Sequence, residues 1–369
     1  MTESRIWRAA LGLMFAVLCA SSLPAQALAQ AQDAGARIER VADGIYAIIH
    51  DNATEDWPNS NTGVVVGENG VLVVDATYLP SRARADIALI KSITDKPVRY
   101  LVITHLHRDH TGGASAYRDA FQGVVVLSGR DTREFIAINR AATARSGAAS
   151  NSPLRARLAM LERQLANGND SAGAPLPPGI KAALATNVAQ RRTELADLEA
   201  MRVIVPDAAV SSALDLYLGA THIIIQNRGR ANSPDDVTVL VPDARVLFTG
   251  DVVVQAPLPY TGATWPVEWA RVLRDIEISA PLGIVPGHGP VMHDLTYVSG
   301  MRRLIESVNA QVASMLKEGS TLDQMKQRVD VASVRSSVAA WQGTELDNDW
   351  RVTINALVER AWHALRGLD

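Results

Sequence analysis

The chain of 369 residues carries a single cysteine, Cys19, and that scarcity closes off several chemistries. Cys19 lies in an apolar stretch from Ala9 to Leu23 that follows Arg5 and Arg8 and precedes Ala27-Leu28-Ala29. A basic start, a short apolar run and a small-residue site are the layout of a cleavable secretory signal, here residues 1–29. Leu18 precedes Cys19 where a lipoprotein site would carry a small residue. The expectation is a periplasmic or secreted mature protein with no thiol, and so no disulfide, Cys nucleophile or Cys metal ligand. The apolar run is too short to be a comfortable bilayer span. No stable membrane insertion is expected after cleavage, a retained N-terminal anchor being the plainer alternative.

Blocks of positive charge are missing too. No run of five or more basic residues occurs and the formal net charge is −3, so nucleic acid is not an expected partner. Apolar residues make up 47% and charged residues 20%, as in an ordinary soluble globular protein. About 340 residues beyond the signal suffice for a core that needs no disulfides.

Two β-rich runs are present, each followed by helices. Gly44–Ile49, Thr62–Val66 and Val71–Asp75 read as strands, the last two joined by the Glu68-Asn69-Gly70 turn. An amphipathic helix from Arg82 to Ile93 precedes a strand, Tyr100–Thr104; a helix near Ala114–Phe121 and a strand at Val124–Leu127 follow. Thr132 to Met201 is rich in Ala, Leu, Arg and Glu, with leucines at 154, 158, 161 and 165 at helical spacing. Gly168 to Pro178 breaks it as a loop. Strands resume at Val203–Val205, Leu214–Leu218, Thr221–Gln226, Val237–Val241 and Val246–Thr249. Met301, Leu304, Ile305, Val308 and Val312 form one stripe of a helix that Gly319 ends, and Thr321 with Gln324 spells a capping box for the next. Ile354, Leu357, Val358, Ala361 and Leu365 mark a last helix. The pattern implies two sheets packed face to face with helices outside. We expect one domain over 37–369, with a helical insertion at about 131–201 and C-terminal helices from about 295.

The chemistry concentrates in His105-Leu106-His107-Arg108-Asp109-His110, directly after the apolar run Tyr100–Thr104. Three of the eight histidines fall in this hexad and a fourth, His288, sits in Pro-Gly-His-Gly. Imidazole and carboxylate hold zinc and similar divalent ions. Residues two apart in extended chain project to one side, so His105 and His107 can point at one ion. Asp109 and His110 follow a turn and can point at a second. Asp251, after Val246–Gly250, can bridge two ions with its two oxygens. The bland reading of the hexad is a satisfied polar strand end, a poor use of four ligand-type side chains.

These residues resemble the metallo-β-lactamase superfamily over most of Ile45 to His288. The pieces stand in family order: Asp75 at a strand end, the hexad, a metal-site loop, Thr249-Gly250-Asp251 and Gly287-His288-Gly289. The resemblance implies an αββα sandwich with the metals at one edge between the sheets, and a zinc hydrolase. It would make His105 and His107 ligands of the first metal, Asp109, His110 and His288 ligands of the second, and Asp251 the bridge. The family's further histidine for the first metal falls here on Asn232, in Gly229-Arg230-Ala231-Asn232-Ser233-Pro234-Asp235-Asp236, nineteen residues before Asp251. Asn232 can coordinate weakly through its oxygen, hold a coordinating water, or leave the first position partly filled. Diiron oxygen reductases of the superfamily carry glutamate where this chain has His107, so imidazole there favours zinc and hydrolysis.

A divalent ion lowers the pKa of bound water from about 15.7 to near 7, and the resulting hydroxide would attack a carbonyl. Asp109 would orient it or accept its proton. Esters, lactones, thioesters and β-lactams all suit this chemistry, with a small molecule as substrate and one or two zinc ions as cofactor. A non-catalytic metal-binding protein of the same fold is the alternative that Asn232 leaves open. Trp57, Tyr260 and Trp265 are pocket candidates or partly buried loop anchors. Asp75 is expected to brace the metal loop by hydrogen bonds, and Asp235 and Asp236 to do the same or to be turn residues. His222 reads as structural, His50 and His293 lack a ligand context, and His363 lies on a helix surface.

Overall fold

The computed structural model describes residues 35–50, 58–140, 152–255, 259–341 and 347–368. The segment read as a signal and Trp57 lie outside them. One sheet takes its strands in chain order: β1 (Ala36–Ala42), β2 (Ile45–His50), β3 (Thr62–Val66), β4 (Val71–Val74), β5 (Val98–Val102), β6 (Val125–Gly129) and β7 (Ala208–Val210). Neighbours are antiparallel through β4 and parallel from β4 to β7. Helices α1 (Pro80–Ile93), α2 (Arg108–Thr111), α3 (Ala114–Ala120) and α4 (Arg130–Phe135) fall between these strands or after them. The second sheet comprises β8 (Ala213–Leu218), β9 (Thr221–Gly229), β10 (Asp236–Val241), β11 (Val246–Val254) and β12 (Gly283–His288), with only β11 and β12 parallel.

Period-2 side-chain alternation gives each sheet two faces, and the central strands of both sheets are covered on both. Ala47, Ile49, Val65, Val74 and Leu127 meet Ile223, Ile225, Val239 and Phe248 between the sheets. On the outer face of the first sheet, Ile48, Val64, Val73 and Leu101 pack on Ala83, Ile87, Ile90 and Tyr117 of α1 and α3. On the outer face of the second, Leu247, Val252 and Ile284 pack on α7 (Pro266–Ser279), α8 (Thr296–Lys317) and α10 (Asp347–Leu365). This is the αββα sandwich expected from the sequence. The stripe from Met301 to Val312 is fully buried, and the Thr321–Gln324 capping box forms at the start of α9 (Leu322–Arg328).

The segment expected to be helical holds α4, a π-helical turn (Ile136–Arg140), α5 (Ser152–Asn167) and α6 (Pro178–Ala200). Leu154 of α5 and Leu198 of α6 are buried against Tyr78 and Leu79, the loop that starts α1. Asp197 also accepts a 2.8 Å bond from the Ser81 backbone N–H. The insertion thus docks behind the hexad, not on the far side of the sandwich. Four local expectations differ. Residues 203–205 form no strand; the chain joins the sheet at β7, beyond Pro206, which has no N–H to donate to a ladder. β1 and β12 were not foreseen, and β11 runs past Asp251, which stands inside a strand and not at its end. Among the described residues, no helix is long and apolar enough to cross a membrane.

Candidate metal centre

The hexad begins three residues past β5. Its first imidazole is aimed by Asp75, which follows β4 and takes the left-handed conformation (φ 64°) that L-residues seldom adopt. That twist lets the Asp75 carboxylate accept from the Thr104 backbone N–H at 2.8 Å and the Thr104 hydroxyl at 2.9 Å. Having given its proton to Asp75, Thr104 Oγ1 meets His105 Nδ1 at 3.1 Å as an acceptor, which leaves His105 Nε2 with a free lone pair. Asp75 Oδ2 also lies 2.7 Å from His110 Nδ1; a carboxylate can only accept, so His110 likewise presents Nε2. The expected bracing role of Asp75 is therefore visible in atoms, as a group that sets two tautomers.

Asp109 and His110 stand on α2, one helical turn closed by Gly112. A Cβ on Gly112 would lie 1.9 Å from the Tyr78 carbonyl oxygen, so only glycine allows the turn to sit this close to the α1 loop. Tyr78 is almost fully buried and its hydroxyl hydrogen-bonds Arg108 and Glu194. Burial, with help from Glu194, pushes its phenol up to about 12. Glu194 in turn pairs with Arg191 at 2.9 Å, so a buried polar chain links α6 of the insertion to the hexad.

From the second sheet come Asp251 of β11 and His288, the last residue of β12. Gly287 has room for no side chain: its Cβ would fall 2.0 Å from Asp251 Oδ1. The two oxygens of Asp251 face different partners. Oδ2 lies 3.6 Å from His105 Nε2, while Oδ1 lies 3.2 Å from His110 Nε2 and 3.5 Å from His288 Nε2. His288 Nε2 is 3.0 Å from Asp109 Oδ2, and His105 Nε2 is 2.9 Å from His107 Nδ1. Two groups result, His105–His107–Asp251 and Asp109–His110–Asp251–His288, each with its ligand atoms within 4.8 Å of one another.

Does this set fit a divalent ion? All its donors are imidazole nitrogen and carboxylate oxygen, the ligands zinc takes. All are buried except His107, which is half-buried. Asp109 Oδ1, His110 Nε2 and Asp251 Oδ1 are buried without a hydrogen-bond partner, a rare and costly state in a folded protein. A cation held by this group would answer His110 Nε2 and Asp251 Oδ1, while the Asp109 oxygen that faces the group is Oδ2, 3.5 Å from His110 Nε2. The electrostatics agree. Burial opposes charge on every member, yet His110 holds the Asp109 carboxyl well below the usual range. Asp251, Asp75 and Asp109 together raise His110 well above the ordinary histidine value. Burial, aided by His110, lowers His105, which keeps its ring neutral and its lone pair available.

Asn232 lies on the β9–β10 loop and is 1% exposed. Its amide donates to the Tyr260 carbonyl at 3.4 Å, and its Oδ1 is buried with no partner. The Tyr260 ring stands edge-on to His107 with centroids 5.8 Å apart, and the residue is 57% exposed, which places it at the mouth of the first group. Trp265 instead acts on the loop: its backbone N–H donates to the Ala231 carbonyl at 2.9 Å, and Arg230 and Arg360 both lie over its ring. Asp235 accepts from the backbone N–H groups of Asp131 and Thr132 at the start of α4, joining the Asn232 loop to the insertion.

Asp236 accepts from the Ser233 N–H at 2.7 Å, with its other oxygen buried and unpartnered. Burial, opposed by Ser233 but reinforced by Asp251 and Asp235, pushes its carboxyl up to about 7. A raised carboxyl value makes ionisation a cost to folding, absent below the unfolded value near 3.9 and complete above about 7. Asp236→Asn is therefore expected to raise the melting temperature of chelator-treated protein at pH 8 and leave it unchanged at pH 4. Equal shifts at both would assign the effect to packing.

Sequence reasoning missed two groups. Asn59, Ser60, Asn61 and Thr62 are all buried, and they run between the hexad and the His288 loop. Four consecutive small polar residues entering an apolar strand were the available signal. His50, read as lacking a ligand context, forms a buried pair with Asp86 at 3.2 Å, and Asp86 also accepts from Thr62 Oγ1 at 2.6 Å.

The family model described as the metallo-beta-lactamase superfamily matches residues 56–294. A linear primary-alkylsulfatase from Pseudomonas sp. (strain ATCC 19151) is 22% identical over 279 residues, 72% of this chain and 49% of that protein. The chain thus spans about half the length of that curated relative. Among solved structures, a stereoselective inverting sec-alkylsulfatase from Pseudomonas sp. superposes with a TM-score of 0.57 at 16% identity, over 91% of this chain and 51% of that one. A metallo-beta-lactamase from Pontibacter korlensis does so with a TM-score of 0.51 at 16% identity, over 73% and 99%.

Proposed function

This chain belongs to the metallo-beta-lactamase superfamily, and from that premise we propose that it is a zinc-dependent hydrolase of a small substrate. The observation that carries the reading is Asp251, each of whose oxygens faces one of two buried ligand groups. We assign His105, His107 and Asp251 to one ion and Asp109, His110, His288 and Asp251 to another. Asn232 Oδ1, buried and unpartnered, is assigned to the first ion as a weaker and harder donor than imidazole. A divalent ion in such a site supplies a Lewis acid and makes a water nucleophile available near neutral pH.

The chain's own residues supply the rest. Asp75 holds His105 and His110 in the tautomers that leave Nε2 open. Asp109 is buried and ionised, and its free Oδ1 is the atom to orient a nucleophile or take its proton. Tyr260 stands at the mouth beside His107, where it can contact substrate. An ester, lactone, thioester or β-lactam carbonyl is the reacting group proposed. A sulfate ester is the second reading, prompted by the curated alkylsulfatase relative and the 91% of this chain that superposes on a sec-alkylsulfatase. We further propose that residues 1–29 are an export signal and that the protein works in the periplasm or outside the cell.

The test pairs metal analysis of purified protein with a panel of carbonyl and sulfate esters, lactones, thioesters and β-lactams. Bound zinc with turnover that a chelator abolishes supports the reading. Stoichiometric zinc with no turnover on any member favours a metal-binding protein, and turnover indifferent to chelators sinks the metal mechanism. Asn232→His is expected to tighten the weaker zinc equilibrium by about tenfold or more, as imidazole replaces an amide oxygen. Unchanged zinc affinity would show that Asn232 stands apart from the ion.

A further inference from the structure

We infer that Asn61 is a positioning residue for His288, a clamp from the first sheet that sets one metal group and leaves the other alone. The inference rests on the metal-hydrolase reading above. His288 ends β12, the edge strand of its sheet; the Gln255 N–H donates to its carbonyl at 3.1 Å, but the residues on either side of it do little to fix the turn. Pro286 has no N–H, Gly287 and Gly289 have no side chains, and Gly289 takes a φ of 97°. The pairing of β12 with β11 is itself irregular past Phe248 and again past Gly250. Left to its own strand, this imidazole would be poorly aimed.

Asn61 supplies the missing restraint. Its backbone N–H donates to the Gly287 carbonyl at 2.7 Å. Its amide nitrogen donates to the Pro286 carbonyl at 3.0 Å and the Gly289 carbonyl at 2.8 Å, using one hydrogen for each. Three carbonyls that bracket His288 at the end of this strand thus accept from one residue, itself only 4% exposed. The strap continues to the other side of the same group: the Ser60 N–H points at the Asp109 carbonyl at 3.4 Å. Asp109 and His288, whose side chains stand 3.0 Å apart, are therefore spaced by a single short segment.

The chemistry selects asparagine. Aspartate has the same shape but can only accept, and would set a carboxylate against carbonyl oxygens. Serine has one short donor, and glutamine places its amide a methylene further out. His105 takes its orientation from Thr104, itself held by Asp75, and lies outside the clamp.

The experiment is a zinc titration of chelator-stripped protein against a chromophoric competitor, with Asn61→Asp, His288→Ala and the double variant beside the wild type. Thermal melts of the stripped proteins check folding. In Asn61→Asp, one zinc equilibrium is expected to weaken by about 10- to 100-fold, the usual effect of removing a group that orients a ligand, while the other is unchanged. The weakened step should be the one that His288→Ala removes, and the double variant should bind no worse than His288→Ala alone. Should Asn61→Asp not fold, Asn61→Ser is expected to show the same selective loss at smaller size. Equal weakening of both steps, additive losses in the double variant, or unaltered binding would overturn the clamp. A wild type that binds no zinc overturns both the clamp and the hydrolase reading, whereas zinc binding that Asn61 does not alter overturns the clamp alone.

Discussion

Asp251→Ala is expected to empty both metal groups at once. Its oxygens serve the His105 side and the His110–His288 side separately, and no other residue belongs to both groups. Metal analysis of the purified variant should show zinc well below wild type. Hydrolysis of the best panel substrate should fall by about three to four orders of magnitude, at 1.36 kcal/mol for each tenfold. A second effect follows from charge. Despite its burial, Asp251 is held below the ordinary carboxylate range by His110, His288 and His105. A depressed value means that ionised Asp251 stabilises the fold above its unfolded pKa and ceases to as acid protonates it. In chelator-treated protein the stability gap between wild type and variant should be full at pH 7 and narrow below about pH 4. Wild-type zinc content in the variant would contradict the bridging role.

Asp75→Ala strikes further from the proposed ions and is expected to cost nearly as much. The alanine leaves three buried donors without an acceptor: the Thr104 N–H, the Thr104 hydroxyl and the His110 Nδ1–H. Each such group costs about 1–3 kcal/mol when stranded in a dry interior. Freed of Asp75, His110 can also turn the wrong nitrogen outward, and zinc affinity should drop by about 10- to 100-fold. The left-handed φ of 64° then persists with no interaction to compensate it. Asp75→Asn separates the two effects. Its amide oxygen can still accept from Thr104, so it should restore much of the melting temperature lost in the alanine variant but less of the zinc affinity. Equal recovery of both would show that the role of Asp75 is structural only.

Much of this was legible in the chain because it is local. Ligand spacing from His105 to His110, the helical stripe from Met301 to Val312 and the Thr321 capping box depend on residues a few positions apart. The elements missed depend on partners far away in sequence. β12 reads as a loop because Gly283, Pro286, Gly287 and Gly289 mark turns, yet pairing with β11 makes it a strand. β1 carries Arg37, Glu39 and Arg40 and is partly exposed along its length, so its hydrophobic alternation is weak and β2 alone defines it. Asn61 resembles any polar residue at a strand entrance; its value lies in carbonyls some 225 residues away. His50 lacked a context until Asp86, on α1, came beneath it. The role of Asn232 was open in the sequence, and the structure adds a buried oxygen with no hydrogen-bond partner among the described residues.

The proposed ligands are drawn from both sheets, with α2 and the segment after β5 on one side and the parallel β11–β12 pair on the other. Parallel pairs and face-to-face sheets close late, since large loops must be ordered before their contacts form. No partly folded chain can therefore offer the whole ligand set. Zinc uptake should trail the last step of assembly and act as a latch on a finished molecule. The melting temperature should then climb with free zinc concentration, as it does whenever a ligand binds only the native form.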